Sequence, residues 1–195
     1  DYDYVVLALG ASTPGVLRLE KGEAKNALEF LAQFKATDGN VDLGENVVVI
    51  GGGNTAMDTA RAAKRNKGVK KVSLVYRRTK RYMPADAEEL EMAIDDGVEF
   101  AELLSPVKLE SGLLYCKKMV LGDYDASGRR SVVETDEVVT VPADTVIAAV
   151  GEKVPGAFYE ANGIALDARG RVQANQDTLE TGREGVYAVG DGLYG

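Results

Sequence analysis

The chain has 195 residues, 45% of them hydrophobic, and carries 31 acids against 23 bases for a net charge of −8. This is the make-up of a globular protein with one sizeable core, or one core and part of a second, and not of a disordered chain. The acidic balance argues against nucleic acid or an anionic membrane as partner, and no apolar run approaches the ~20 residues of a membrane span.

Residues 4–9, Y-V-V-L-A-L, read as a buried strand that ends at once in the turn cluster Gly10-Ala11-Ser12-Thr13-Pro14-Gly15. Glu23 to Ala36 predicts an amphipathic helix with Ala24, Ala27, Leu28, Leu31 and Phe34 on one stripe, stopping before the turn signal Asp38-Gly39-Asn40. Next comes a strand at V-V-V-I from Val47, the turn Gly51-Gly52-Gly53-Asn54-Thr55-Ala56, a helix from Met57 to Asn66, and a second strand, Val72 to Tyr76. The turn reads G-x-G-x-x-A after a β-branched run and before a helix, which is where a dinucleotide-binding crossover needs it. Gly51 allows the tight turn, Gly53 lets backbone N–H groups approach a pyrophosphate, and Ala56 lets helix and strand pack closely. The helix start adds unpaired N–H groups and a partial positive charge. The competing reading is a glycine-rich turn that only lets a helix pack on a sheet. Asp58, in the first helical turn, suits the helix dipole better than catalysis.

The second strand leads into Tyr76-Arg77-Arg78-Thr79-Lys80-Arg81, with no acid before Asp86. An NAD-type site places an Asp or Glu there for the ribose 2′-hydroxyl, whereas guanidinium groups suit a 2′-phosphate. NADP(H) is therefore expected over NAD(H), with Arg77 and Arg78 as the phosphate ligands; a solvated strand exit is the alternative. Met83-Pro84 opens a helix from Ala85 to Asp96, closed by Gly97, with Leu90, Ala93 and Ile94 facing the core. Its acids Asp86, Glu88, Glu89 and Glu91 read as a solvated face. From Val98 to Val141 four segments read as an antiparallel meander: V-E-F-A-E-L-L, V-K-L-E, L-L-Y-C-K-K-M-V-L and S-V-V-E-T-D-E-V-V-T-V. They are broken at Ser111-Gly112 and at Asp123 to Arg130. Cys116 inside it reads as a packed thiol. The chain returns to the main sheet at Thr145–Val150, closed by Gly151-Glu152. A last strand from Val186 ends in Gly190-Asp191, where the glycine allows close approach and the carboxylate could accept hydrogen bonds from a polyol such as a flavin ribitol; a plain turn is equally compatible. The predicted fold is α/β: a Rossmann-like parallel sheet with helices on both faces and an inserted antiparallel β-meander, plus partial edges of a second domain.

There is no histidine, and Cys116 is the one cysteine. Ser-His and Cys-His catalysis, most zinc sites, C-x-x-C dithiols and cysteine-ligated clusters are thereby excluded from this chain. No metal ligand set and no catalytic side chain are expected, so redox chemistry must belong to an organic cofactor. Sparse cysteine and the lack of a signal-peptide pattern make the cytoplasm the default compartment.

The segments G-G-G-N-T-A-M-D, V-Y-R-R-T, M-P-A, D-G-V-E-F, A-A-V-G and V-Y-A-V-G-D resemble the pyridine-nucleotide oxidoreductases of the glutamate synthase small-subunit type. Within that group, A-D-T-V-I-A-A-V-G-E-K-V-P and V-Y-A-V-G-D-G are similar to iron–sulfur flavoprotein subunits of the selenate reductase kind. The resemblance implies an NADPH domain at residues 14–148 nested in a FAD domain, of which 1–13 and 149–195 are fragments, with crossings at Ala8–Gly10 and Ala149–Gly151. It implies that Gly51, Gly52, Gly53, Asn54, Thr55 and Ala56 hold the NADPH pyrophosphate, that Arg77 and Arg78 hold its 2′-phosphate, and that Gly151 and Glu152 lie near the nicotinamide. Gly10, Gly190 and Asp191 would lie on the FAD side, with Asp191 on the ribitol. The implied partners are the rest of the FAD domain and iron–sulfur domains or subunits. The implied activity is hydride transfer from NADPH to FAD in a longer parent, this chain being an excised piece inactive alone. Two other functions stay open: an NADP(H)-sensing module without catalysis, and a disulfide reductase whose dithiol lies elsewhere.

Overall fold

The computed structural model describes residues 2–124 and 128–194. In chain order they form β1 (Val5–Leu7), β2 (Thr13–Pro14), β3 (Lys25–Asn26), α1 (Ala27–Ala36), β4 (Asn46–Gly51), α2 (Asn54–Arg65), β5 (Lys71–Tyr76), a 3-10 turn (Lys80–Tyr82), α3 (Ala87–Asp95), β6 (Glu99–Glu102), β7 (Leu104–Glu110), β8 (Leu113–Tyr124), β9 (Arg130–Pro142), β10 (Thr145–Ala149), β11 (Glu152–Lys153), α4 (Gly156–Ala161), β12 (Val186–Ala188) and α5 (Asp191–Tyr194). The chain divides into two compact units, Val16–Gly151 and Asp1–Gly15 with Glu152–Gly195. Among the described residues no helix is long and apolar enough to cross a membrane.

The larger unit is built on a five-stranded sheet in the order β3-β10-β4-β5-β6, parallel throughout. Side chains alternate across each strand. On one face Val47, Val49, Val72, Leu74 and Ile147 pack with Phe30 of α1, Met57 and Ala60 of α2, and Leu90 of α3. On the other, Val48, Ile50, Val75 and Val146 pack with Leu104, Leu114 and Cys116 of the meander β7-β8-β9. Each fully buried Val, Leu, Ile, Phe or Met side chain among them is worth roughly 1.5–3 kcal/mol. The α/β class is the expected one, but helices do not cover both faces: α1, α2 and α3 share one face, and the meander covers the other. The long apolar runs of β4 and β5 require two covers without specifying that both be helical.

Several local expectations need correction. V-E-F-A-E-L-L is not the first meander strand, because β6 pairs in parallel with β5 at the edge of the main sheet. The chain turns at Leu103 (φ 59), whose N–H donates to the Arg78 carbonyl at 3.2 Å while its own carbonyl accepts from Met119 N–H. Helix α1 starts at Ala27 because Lys25–Asn26 pair with β10, and the Asn26 Oδ1 then accepts the Glu29 N–H at 3.1 Å. Its buried stripe uses Ala27 and Phe30, with Leu28 exposed. In α3, which packs along a narrow seam on α2, Leu90 and Ala93 are buried but Ile94 is 42% exposed. The Ser111-Gly112 turn forms as a two-residue hairpin with both φ positive. The break expected at Asp123 to Arg130 falls partly on residues 125–127, outside the described residues.

In the smaller unit β1 pairs in parallel with β12, Val5 opposite Val186 and Leu7 opposite Ala188, and β2 pairs antiparallel with β11. Its core is Tyr159, Ile164, Val172 and Ala188, with Leu7 packed against it. Residues 4–9 are therefore not a buried strand: Val5 and Val6 are exposed, and the apolar run is covered only where Leu7 meets this cluster.

Candidate functional site

At the C-terminal end of β4 the ladder places Ala149 opposite Gly51. A Cβ on Gly51 would strike the Ala149 carbonyl and lie 2.9 Å from Ala56 Cβ, so strand, neighbouring strand and helix meet at this point without a side chain between them. A Cβ on Gly52 would run into the ring of Tyr76, the last residue of β5. A Cβ on Gly53 would meet nothing within 4 Å. Gly53 caps α2 with its carbonyl, which accepts from Ala56 N–H at 2.9 Å and Met57 N–H at 3.3 Å. Among the described residues no acceptor faces the N–H groups of Gly53, Asn54 and Thr55. Open space, unpaired amides and the positive end of a twelve-residue helix form a cradle for an anion. β4 is flanked by parallel partners on both sides, β10 and β5, so the turn stands outside the carboxyl end of a central strand, where open α/β sheets bind ligands.

The basic stretch after β5 is tied to that turn at both of its ends. Tyr76 packs on Gly52 and its hydroxyl donates to the Tyr82 carbonyl at 2.8 Å. Ala85 N–H donates to the Gly52 carbonyl at 3.0 Å. Asn54 and Asp86 bond twice, Asp86 N–H to Asn54 Oδ1 at 3.1 Å and Asn54 Nδ2 to Asp86 Oδ2 at 3.3 Å. Between these ties Lys80 N–H donates to Glu102 Oε2 at 2.8 Å. Arg77 is exposed and its guanidinium has no partner among the described residues. Arg78 is half-buried and its Nε reaches the Arg130 carbonyl at 3.5 Å, so its side chain leans toward the start of β9. Lys80 faces Glu91 at 3.8 Å, and Arg81 lies over the Tyr82 ring. Gly151 (φ 96) leaves β10 two residues beyond Ala149, at the sheet end that carries the glycine turn.

The other predicted positions lie in the smaller unit. Gly10 and Gly190, both with positive φ, follow the parallel strands β1 and β12 at the same end of that pair. Asp191 is exposed in the first turn of α5. Glu152 sits in β11 opposite Pro14. The structure thus gathers Gly51–Ala56 with Gly151 at one sheet end, and Gly10 with Gly190 and Asp191 at another. Elsewhere, burial in an apolar setting pushes the Cys116 thiol up to about 12, leaving it protonated and inert. The Asp96 carboxyl is held below its ordinary value chiefly by the hydrogen bond from Arg61 Nε at 2.8 Å, a contact that ties α2 to α3. Among the described residues no group of three or more His, Cys, Asp or Glu comes together to hold a metal.

Tyr76, Ala85, Asp86 and Glu102 shape the site, and the sequence reading assigned them nothing. The available signal was weak: an aromatic residue ending a strand that faces a glycine turn, and M-P-A returning the chain after the cations. The Glu102 contact joins residues 22 apart and carries no local signature.

The family model described as pyridine nucleotide-disulphide oxidoreductase matches residues 1–194. YgfK of Escherichia coli (strain K12), named as an oxidoreductase, is 40% identical over 194 residues, covering 97% of this chain and 18% of that protein. The NADP(+)-dependent formate dehydrogenase subunit beta of Moorella thermoacetica is 36% identical over 207 residues, covering 100% of this chain and 29% of that one. In fold the chain is similar to Mycobacterium tuberculosis FprA in complex with NADPH, with a TM-score of 0.76 at 20% identity over 99% of this chain and 59% of that structure. The chain thus spans less than a third of these two sequence relatives.

Proposed function

The chain belongs to the pyridine nucleotide-disulphide oxidoreductase family, and from that premise we propose that Val16–Gly151 is the NADPH-binding domain of a flavoprotein oxidoreductase. The observation that carries the reading is the cradle at Gly53: space where a Cβ would stand, beside three amides that meet no acceptor among the described residues. Those groups fit a pyrophosphate. Gly51, Gly52 and Ala56 give the turn its shape, Asn54 and Thr55 open the helix, and Gly151 with Glu152 would lie toward the nicotinamide. Arg77, exposed and without a partner among the described residues, fits a 2′-phosphate best; Arg78 fits if it leaves the Arg130 carbonyl.

The smaller unit then contributes to a FAD domain, with Gly10 and Gly190 admitting the flavin nucleotide and Asp191 accepting from its ribitol. The chemistry supplied by the two bound cofactors is hydride transfer from nicotinamide to flavin, with electrons passed on to iron–sulfur centres in other domains or subunits of a cytoplasmic parent. This chain's residues bind and align; none needs to move a proton. The longer relatives support reading the chain as one piece of such a parent. A dithiol mechanism within this chain is disfavoured, because its single thiol is sealed and protonated.

Titration of the protein with NADPH and with NADH tests the assignment. We expect NADPH to bind at least about tenfold more tightly, and Arg77→Ala to cost about 1.4 kcal/mol with NADPH alone. An equal loss with both nucleotides would remove the 2′-phosphate role.

A further inference from the structure

We infer that Glu102 is a positioning residue for cofactor choice: its carboxylate staples the basic stretch 77–81 in the shape that presents Arg77. The inference rests on the nucleotide reading above and deepens it. Residue Tyr76, after which the basic stretch begins, stands opposite Glu102 in the β5–β6 ladder. Glu102 is therefore an acid at the strand end neighbouring the one where an NAD-type site would carry its ribose-binding carboxylate. Left free, it would offer hydrogen bonds to ribose hydroxyls and repel a 2′-phosphate. It is not free, because Oε2 accepts the Lys80 N–H at 2.8 Å, at the first residue of the 3-10 turn Lys80–Tyr82.

The ties on the backbone of this stretch and its flanks other than Glu102 are neutral, Leu103 N–H to the Arg78 carbonyl and Tyr76 hydroxyl to the Tyr82 carbonyl. The charged side-chain contacts, Lys80 to Glu91 at 3.8 Å and Arg78 Nε to the Arg130 carbonyl at 3.5 Å, are long. Among the described residues Glu102 supplies the one charge-assisted bond to a backbone amide of the stretch, and such bonds are about twice as strong as neutral ones. One contact thus engages an oxygen of an acid at the ribose-binding edge as the acceptor that shapes the loop presenting Arg77.

Both partners of the bond can be altered. Glu102→Ala removes the acceptor, and Glu102→Gln keeps an acceptor oxygen while removing the charge. Lys80→Pro removes the donor, and Thr79, extended at φ −88 and ψ 161, already has the conformation that precedes a proline. Lys80→Ala gives the baseline for the lost side chain. Affinities for NADPH and NADH are measured for each, with melting temperatures alongside.

We expect E102A to weaken NADPH by about fivefold or more and to leave NADH within about twofold. K80P should do the same relative to K80A, while E102Q keeps the NADPH preference. The double variant E102A/K80P should lose no more than either alone, since both delete one bond. If E102A and K80P keep the full preference while R77A loses it, the nucleotide site stands and the staple falls. Equal weakening of both nucleotides would reduce Glu102 to a structural role. A parent protein without NADPH preference would overturn both readings. Should E102A fail to fold, the K80P arm, read against K80A, still decides.

Discussion

An added Cβ at Gly52 would drive into the Tyr76 ring, whereas at Gly53 it would meet nothing within 4 Å. Tyr76 cannot give way freely, being only 9% exposed and bonded through its hydroxyl to the Tyr82 carbonyl. Gly52→Ala should therefore cost roughly 1–3 kcal/mol of stability, read from a denaturant midpoint. Gly53→Ala should change stability by less than about 1 kcal/mol yet weaken NADPH binding, because its methyl group enters the cradle. A Gly53→Ala protein that binds NADPH normally would contradict the cradle. At this scale the glycine turn was legible because its requirements lie in six consecutive residues. Tyr76, Asp86 and Glu102 were not, since each acts through a partner placed by the fold. The leaning of Arg78 toward Arg130 joins residues 52 apart, a distance no local pattern reports.

Among elements, the start of α1 is the informative case. Asn26 belongs to β3 by its backbone and caps α1 by its side chain, so it marks where pairing with β10 gives way to helix. Asn26→Ala should destabilise the protein by about 1 kcal/mol through the exposed first turn, while the backbone pairing persists. An unchanged unfolding midpoint would show that the cap contributes nothing. Periodicity alone carried this helix back to Glu23, because Ala24 sits in phase with the apolar stripe that follows. The same limit explains β6: its alternation suits a parallel edge strand as well as a hairpin strand, and pairing with β5 decides between them. The unit from β4 through α2 to β5 was legible in order and type, since strand, turn, helix and strand each carry their own local signal there, but α2 starts at Asn54 under the Gly53 cap, three residues before the expected Met57.

For the molecule as a whole, acid is the informative stress. Glu110 is held down to about 2 by hydrogen bonds from Lys108 and then Lys21. Asp144 is lowered chiefly by the Asn46 backbone N–H, which it binds at 2.8 Å, and Asp167 chiefly by the Arg171 backbone N–H. Carboxyls depressed in the folded state stabilise it at pH values above their unfolded pKa of about 4, and that stability is lost as pH falls through the folded values. The melting temperature should thus be level above about pH 5 and drop between about pH 4 and 2. A melting temperature that rose on acidification over that range would refute the arrangement. Asp167 lies in the smaller unit and the other two in the larger, so both should loosen. At this scale the α/β class could be read from alternating strand and helix signals, but not the identity of the second cover over the sheet. A strand buried on both sides looks the same under helices or under a meander. That cover has one more effect. Cys116, the sole thiol in the chain, belongs to β8 of that cover and is buried on its inner side in the cluster with Val48 and Ile50. An alkylating reagent can reach the sulfur only in molecules whose meander has lifted, so the rate of labelling serves as a clock for that breathing motion, installed by the protein itself.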